Sequence, residues 1–416
     1  MTVQSPDASL MPHRSARNQA YLITGACCIC LAIAMGIGRF AFTPLLPMML
    51  HDGVVSLELG GWLATANYAG YVTGALACMV VPRKWAGSTI IRAGLAATIL
   101  LTFGMALPLG EWWLLLRFLS GVASGFVFVF TAEWCLGRLV SLGAAPLGAL
   151  AFTGPGVGIT FSGLAAMAMV SAGWTAASGW AAMGLLALGL TVLVAMVIRG
   201  ADPARPAASN DGAAVGKAPR RASLAELSIF TVAYGLSGFG YIITATFLPV
   251  MARIAMPGSA WLGLFWPILG LAVVTGCVLA TRIPAGTDAR LVLIGSYLAQ
   301  AVGVLAADVM PNVAGFLISS LLVGLPFTVI GFFAMQDARR LQPHNAARFM
   351  GLLTGIYALG QIIGPPVTLA MLSLAEGDQS TGFAWSLYIA AGALIFGAFM
   401  LLAMMVIWPL HRAHKG

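Results

Sequence analysis

The chain has 416 residues, of which 60% are hydrophobic and only 8% charged, and its mean hydropathy is +0.94. A soluble protein carries about 25% charged residues, so no water-soluble fold hides this much apolar surface and the chain reads as an integral membrane protein. The net charge of +8 would suit nucleic acid, but the basic residues cluster in alternate short loops, which is the signature of membrane topology, and no nucleic-acid partner is expected.

Polar sequence runs through Asn18. The apolar run after it continues past signal-peptide length with no small-residue cleavage site, which predicts an uncleaved first span. A helix needs about 20 residues to cross the hydrocarbon core. Runs of that length fall at 20–50, 58–81, 88–109, 112–137, 145–170, 174–198, 224–252, 259–281, 289–308, 312–335, 346–373 and 382–409. They predict an all-α integral membrane protein with 12 transmembrane helices in two pseudo-symmetric six-helix bundles, 20–198 and 223–409. A tail at 1–19, an Ala-, Pro-, Gly- and Arg-rich linker at 199–222 and a tail at 410–416 complete the chain. Twelve spans put both ends on one side. With that side cytoplasmic, all of the 21 basic residues except Arg39, Arg117 and Arg253 fall in inner segments. Both termini and the linker are therefore expected inside, in a multi-pass protein of the plasma (inner) membrane.

The first span holds Gly36-Ile-Gly-Arg39-Phe-Ala-Phe-Thr43-Pro44-Leu-Leu-Pro47-Met-Met49. Gly36 and Gly38 admit a close neighbour, and Pro44 and Pro47 are expected to loosen the helix just beyond the charge. At a constant offset of 202 the pattern returns, Gly36 on Gly238, Gly38 on Gly240, Pro47 on Pro249 and Met49 on Met251, while Arg39 falls on Tyr241. The halves share a helix shape and differ at the one position where a function is expected. Arg39 lies about 27 Å beyond Tyr21 at 1.5 Å per residue, in the outer half of its span. It either snorkels to the outer interface or meets substrate in a central cavity. Arg117 enters from the opposite side, after Trp112-Trp113, to a similar depth in the outer half, where it either faces the cavity or bridges helix ends.

Glu133 is the carboxylate well inside an N-half span, about 24 Å along the helix from Arg117. It reads as an inner-gate partner of Arg83, Lys84 or Arg138, or as a proton carrier with its pKa raised by desolvation. Asn67, Tyr68, Tyr241, Gln336, Tyr357 and Gln361 are polar or amphipathic groups in apolar helices; they hydrogen-bond between helices or line a shared cavity. Asp308 and Asp337 sit at membrane edges, the latter expected to pair with Arg339 or Arg340. All five histidines fall in tails or loops, which excludes a histidine relay, and the cysteines read as small apolar residues with no disulfide and no metal site.

Twelve spans, two halves and a basic linker resemble the major facilitator superfamily of transporters, and local motifs sharpen the likeness. Gly36-x-Gly38-x5-Pro44-x-x-Pro47 looks like the first-helix motif of drug-antiporter branches. Leu114-Leu-Leu-Arg117-Phe-Leu-Ser-Gly121-Val-Ala-Ser-Gly125 resembles the fourth-helix motif, whose arginine the family links to proton coupling. Gly148-x5-Gly154-Pro155-Gly-Val-Gly158 is similar to the antiporter motif of the fifth helix, and Gly360-Gln361-Ile-Ile-Gly364-Pro365 stands at the matching place in the eleventh. The glycines of these motifs, with Gly70 and Gly74, read as packing devices for sliding helices. Val81-Pro-Arg83-Lys84-Trp85 departs from the family by lacking the aspartate of the loop after helix two. Within the superfamily, residues 36–47 and Ala66-Asn67-Tyr68-Ala-Gly70-Tyr71 resemble the YbfB/YjiJ-type branch.

The resemblance implies a secondary active transporter, not an enzyme, that moves a small organic solute by alternating access, as a monomer and with no cofactor. No Gly-x4-Gly-Lys-[Ser/Thr] sequence occurs, so protons or another ion gradient must drive it. The antiporter-like motifs point to proton-coupled export. Two outer-half cations and few embedded acids fit instead an organic-anion importer or exchanger. A non-transporting sensor or scaffold is the alternative of another class.

Overall fold

The computed structural model describes residues 10–78, 85–144, 147–198, 222–284, 286–343 and 345–410. Twelve helical passages follow one another. The first, α1, has three parts: α-helix Leu10–Leu31, a π-helical stretch Ala32–Phe40, and α-helix Phe42–His51. Then come α2 (Leu57–Ala77), α3 (Gly87–Gly104), α4 (Trp113–Ser141), α5 (Gly154–Ser171) and α6 (Ala176–Ala195). The second half holds α7 (Leu224–Ala255), α8 (Phe265–Ala280), α9 (Ala289–Val309), α10 (Val313–Leu341), α11 (Ala346–Leu374) and α12 (Gln379–Ile407). Each helix pairs its backbone groups within the segment, as the bilayer core requires, where no water pairs an N–H or C=O.

Side chains start the helices where the sequence offers an oxygen. Ser56, Thr175, Ser223, Asn312 and Asp378 each accept a backbone N–H from the first turn of α2, α6, α7, α10 and α12. Inside the helices, buried Thr65, Thr98, Thr102, Thr160, Thr246 and Thr368 return their hydroxyls to the carbonyl four residues back, so they need no outside partner.

Three helix starts depart furthest from the sequence reading, and ends shift as well, α3 stopping at Gly104 and α10 running on to Leu341. The first helix begins at Leu10, inside the expected polar tail. The fifth begins at Gly154 rather than 145, after a separate turn Gly148–Ala151. The eighth begins at Phe265 rather than 259. Hydropathy marks what enters the membrane and not where helix starts. Glycine- and proline-rich junctions hide the true first turn, as at Gly154-Pro155, where proline stands at the helix start.

Ten helices among the described residues are long and apolar enough to cross a bilayer by themselves. The exceptions are α2, by composition, and α8, which has 16 residues. Both pack between the halves rather than against lipid alone: α2 on α11, and α8 on α5. Within the halves the same pairs recur, α2–α4 with α8–α10, α3–α4 with α9–α10, and α1–α5 with α7–α11. The halves meet a third time where Phe42–His51 of α1 lies on α7. No such packing joins α4 to α10 among the described residues.

The two faces of the molecule differ. Of the exposed tryptophans, Trp62, Trp112, Trp174, Trp261 and Trp385 lie at the face opposite the chain termini, here termed the far face, and Trp85 lies at the termini face. Tryptophan favours the headgroup level, so the far-face rings form an anchoring belt there. At the termini face of the second half, Arg290 is 1% exposed and is bound by Asp288 at 2.9 Å. It also caps the end of α12, donating to the carbonyls of Met404 (3.2 Å) and Trp408 (2.8 Å). Asp337 pairs with Arg340, and Asp308 accepts the Tyr388 hydroxyl at 2.6 Å.

Candidate functional site

Proline removes the N–H that would bond the residue four back, and its ring crowds that carbonyl. For Pro44 that residue is Phe40, where the π-helical stretch ends. The distortion thus precedes the prolines instead of following the charge. Within it the hydrogen bonds step one residue wider: Ala41 N–H reaches Gly36 O at 2.6 Å. Gly36 is required by contact, since a Cβ there would strike the backbone of Gly158 on α5, and one on Gly158 would strike Ala32 and Gly36.

Carbonyls of this stretch accept side-chain donors from α2 and α4. Gly38 O accepts from Ser120 Oγ at 2.7 Å, Asn67 Nδ2 at 3.3 Å and Arg117 Nη1 at 3.3 Å. Arg39 O accepts from Arg117 Nη2 at 3.2 Å, and Ala34 O from Ser124 Oγ at 2.7 Å. Asn67 also holds Arg117 O at 3.0 Å. Arg117, 2% exposed, therefore engages both Nη atoms on the first helix and leaves its Nε without a partner, with its guanidinium carbon 4.7 Å from the Phe42 ring centre. It acts here as a staple.

Arg39 has a different setting. It is 3% exposed and lies between the halves, away from the outer interface. Its guanidinium carbon stands 4.3 Å from the ring centre of Tyr71, 4.9 Å from that of Tyr68 and 5.2 Å from that of Phe40. Such cation–π contacts offset part of the cost of burying charge. Its Nη2 donates to Gln361 Oε1 across the boundary between halves, and its Nε is buried without a partner. Gln361 in turn donates to the Tyr241 hydroxyl at 2.6 Å. Among the described residues no carboxylate pairs with Arg39 or with Arg117. The site therefore holds two positive charges and no counter-charge.

Aromatic rings continue from this point toward the termini face. In the second half Tyr241 stacks on Tyr357 (6.0 Å, 20°) and Tyr357 on Tyr234 (4.8 Å, 27°). In the first, Tyr71 meets Phe128 edge-on (6.3 Å) and Phe128 meets Phe152 (6.1 Å). On the far side the halves are tied by Thr43 Oγ1 donating to Ala245 O at 3.0 Å, and by Tyr68 OH against Thr246 Oγ1 at 2.8 Å. Thr43 and Ala245 are one repeat offset apart, so this bond joins a position to its own image.

Of the residues singled out by sequence, Arg39, Tyr68, Tyr241, Tyr357 and Gln361 come together, with Thr43 closing the far side and Asn67 and Arg117 supporting from behind. Gln336 does not join them; it is exposed on α10. Glu133 is half-buried near the termini end of α4 and distant from Arg39 along the chain's helices. Its expected partners Arg83 and Lys84 lie outside the described residues. Gly121 packs on the backbone of Asn67 and Tyr71, Gly125 on Ala75, Gly154 on Cys28, Gly360 on Gly235, and Gly364 on Ile242. Pro365 lies within α11.

Sequence reasoning passed over Tyr71, Tyr234, Ser120 and Ser124. Their signals were spacing: Tyr71 follows Asn67 and Tyr68 by one turn, Tyr234 precedes Tyr241 by two turns, and Ser120 and Ser124 alternate with Gly121 and Gly125 as one small-residue stripe.

Comparison with known proteins agrees with this architecture. A family profile described as "Uncharacterised MFS-type transporter YbfB" matches residues 31–402. The "Uncharacterized MFS-type transporter YceJ" of Bacillus subtilis (strain 168) is 25% identical over 381 residues, covering 86% of this chain and 92% of that protein. Among solved structures, the D-xylose-proton symporter superposes with a TM-score of 0.70 at 11% identity, over 92% of this chain and 97% of its own. The nucleoside transporter NupG gives 0.67 at 13% identity, over 93% and 99%. At such identities these two show the fold alone. By the match to most of its length, the chain belongs to the YbfB family of major facilitator transporters, as a 12-helix membrane protein and not an enzyme.

Proposed function

We propose that this transporter carries a small organic anion between its two halves by alternating access, with Arg39 receiving the anionic group. The observation that carries the reading is a guanidinium 3% exposed, at the boundary of the halves, facing a neutral amide instead of a carboxylate. An embedded charge without a counter-charge is costly, and a substrate that supplies the missing charge recovers that cost when it binds. Arg39 touches both halves, so substrate there is felt by both. The termini face is cytoplasmic in this reading, supported by the basic residues on that side.

Purified protein in liposomes tests it. Wild type should exchange organic anions and ignore cations of equal size. Arg39→Lys keeps the charge but loses the planar fork, and Arg39→Gln loses both, so anion uptake should fall in that order. Wild-type uptake by a correctly folded Arg39→Gln protein would leave Arg39 a structural cation.

Proton-driven export is a second reading, favoured by the antiporter-like Gly154 and Gly158 lying directly against the first helix, Gly158 on its π-helical stretch. The sign of the proton flux separates the cases. When substrate enters an otherwise passive vesicle, antiport carries protons out and turns the lumen alkaline. Symport acidifies it, and anion exchange leaves it unchanged.

A further inference from the structure

We infer that the substrate is a monocarboxylate borne on a planar aromatic ring, its carboxylate replacing Gln361 Oε1 on Arg39 and its ring lying between the two aromatic rows. This rests on Arg39 as the anion site. One guanidinium sets the charge. Arg117 has both Nη atoms engaged on the carbonyls of Gly38 and Arg39 and keeps only its Nε without a partner, so the one fork with adjacent donors to offer is that of Arg39, whose Nε is likewise buried without a partner. Tyr68 and Tyr71 crowd its guanidinium at 4.9 and 4.3 Å, with Phe40 at 5.2 Å, so the anionic group it receives must be a slim one. A carboxylate is planar and matches two donors of the fork edge to edge. A dianionic phosphate would ask for a second cation with a free fork, and Arg117, with both Nη atoms engaged on the first helix, does not offer one.

The rings set the rest of the molecule. Tyr241, Tyr357 and Tyr234 form a stepped stack with interplanar angles of 20° and 27° along α7 and α11. Tyr71 and Phe128 carry a second row down α2 and α4. Both rows start beside Arg39 and run toward the termini face, so a ring attached to a bound carboxylate has aromatic neighbours on either hand. A polyhydroxylated solute would find few partners, because the polar groups nearest Arg39 are engaged with one another. Tyr68 holds Thr246, and Gln361 holds Tyr241.

Three probes of similar size decide the matter with the purified full-length chain: 2-naphthoate, its saturated analogue decahydronaphthalene-2-carboxylate, and neutral 2-naphthylmethanol. Calorimetric titration should show 2-naphthoate binding at least tenfold tighter than either of the others. Arg39→Gln should erase its advantage over the alcohol. Tyr357→Leu should erase its advantage over the saturated acid, while thermal unfolding shows both variants folded; should either fail to fold, Arg39→Lys and Tyr357→Met serve in its place. Equal affinity for the two carboxylates overturns the aromatic assignment and leaves the anion site standing. Naphthoate binding no tighter than the alcohol, or no binding by any probe, overturns both.

Discussion

Gln361 offers an amide where a buried guanidinium would ordinarily meet a carboxylate, and that choice keeps Arg39 available. A glutamate at 361 would supply an internal counter-charge at the same reach. Because Arg39 is already buried and unpaired, completing the pair should raise the unfolding temperature of Gln361→Glu above that of wild type. The same variant should lose at least tenfold in affinity for anions, since its own carboxylate competes at full occupancy. Adding Arg39→Gln to it should reverse the gain, leaving a buried carboxylate alone. Thermal unfolding and anion titration of the three proteins check this; undiminished anion binding by Gln361→Glu would place the substrate elsewhere. Two glutamines in apolar sequence, 336 and 361, show why composition could not separate them. Both read as intramembrane polar groups, but helix phase turns one outward and sets the other against Arg39.

The π-helical stretch Ala32–Phe40 is held from outside itself, by Asn67, Arg117, Ser120 and Ser124. Such segments mark functional sites in many helices because the extra residue re-aims those beside it. Arg117→Lys retains a cation and gives up the two-pronged hold on Gly38 O and Arg39 O. It should cost about 1–2 kcal/mol of stability and weaken anion binding although Arg39 is intact, while the number of protons moved per substrate stays the same. A changed proton count would restore the coupling role that family resemblance suggests. Gly158→Ala sets a methyl group 2.6 Å from Ala32 O and from Gly36 Cα. Overpacking of this kind should cost about 1–3 kcal/mol, read as a lower unfolding temperature. The number of helices, their pairing by a 202-residue offset and the odd position of Arg39 were all legible in hydropathy and spacing. The staple was not, since the partners of Arg117 are carbonyl oxygens that every residue possesses, and only the fold says which ones lie within reach.

Thr43 and Tyr68 tie the halves together on the far side, so alternating access requires these ties to part. Cysteines placed at 43 and 245 and joined by a short bifunctional thiol reagent should stop transport. With a reducible reagent, reduction should restore it; full transport in the linked protein would mean that the far side never opens there. Reporter fusions after Pro206 and at the C-terminus should both act as cytoplasmic, an outside signal from either overturning the orientation. The bond between Thr43 and Ala245 has a further consequence. It joins equivalent positions, so the pseudo-two-fold axis passes beside it, and Arg39 and Tyr241 stand as images on either side with Gln361 between them. Two separate but identical six-helix subunits would be bound by that axis to place an arginine on both sides, two like charges one side chain apart in a medium that screens them poorly. A continuous chain has no such obligation. Joining the halves is what frees one copy of the position to become tyrosine, and so lets Arg39 stand beside the axis with no image of itself across it.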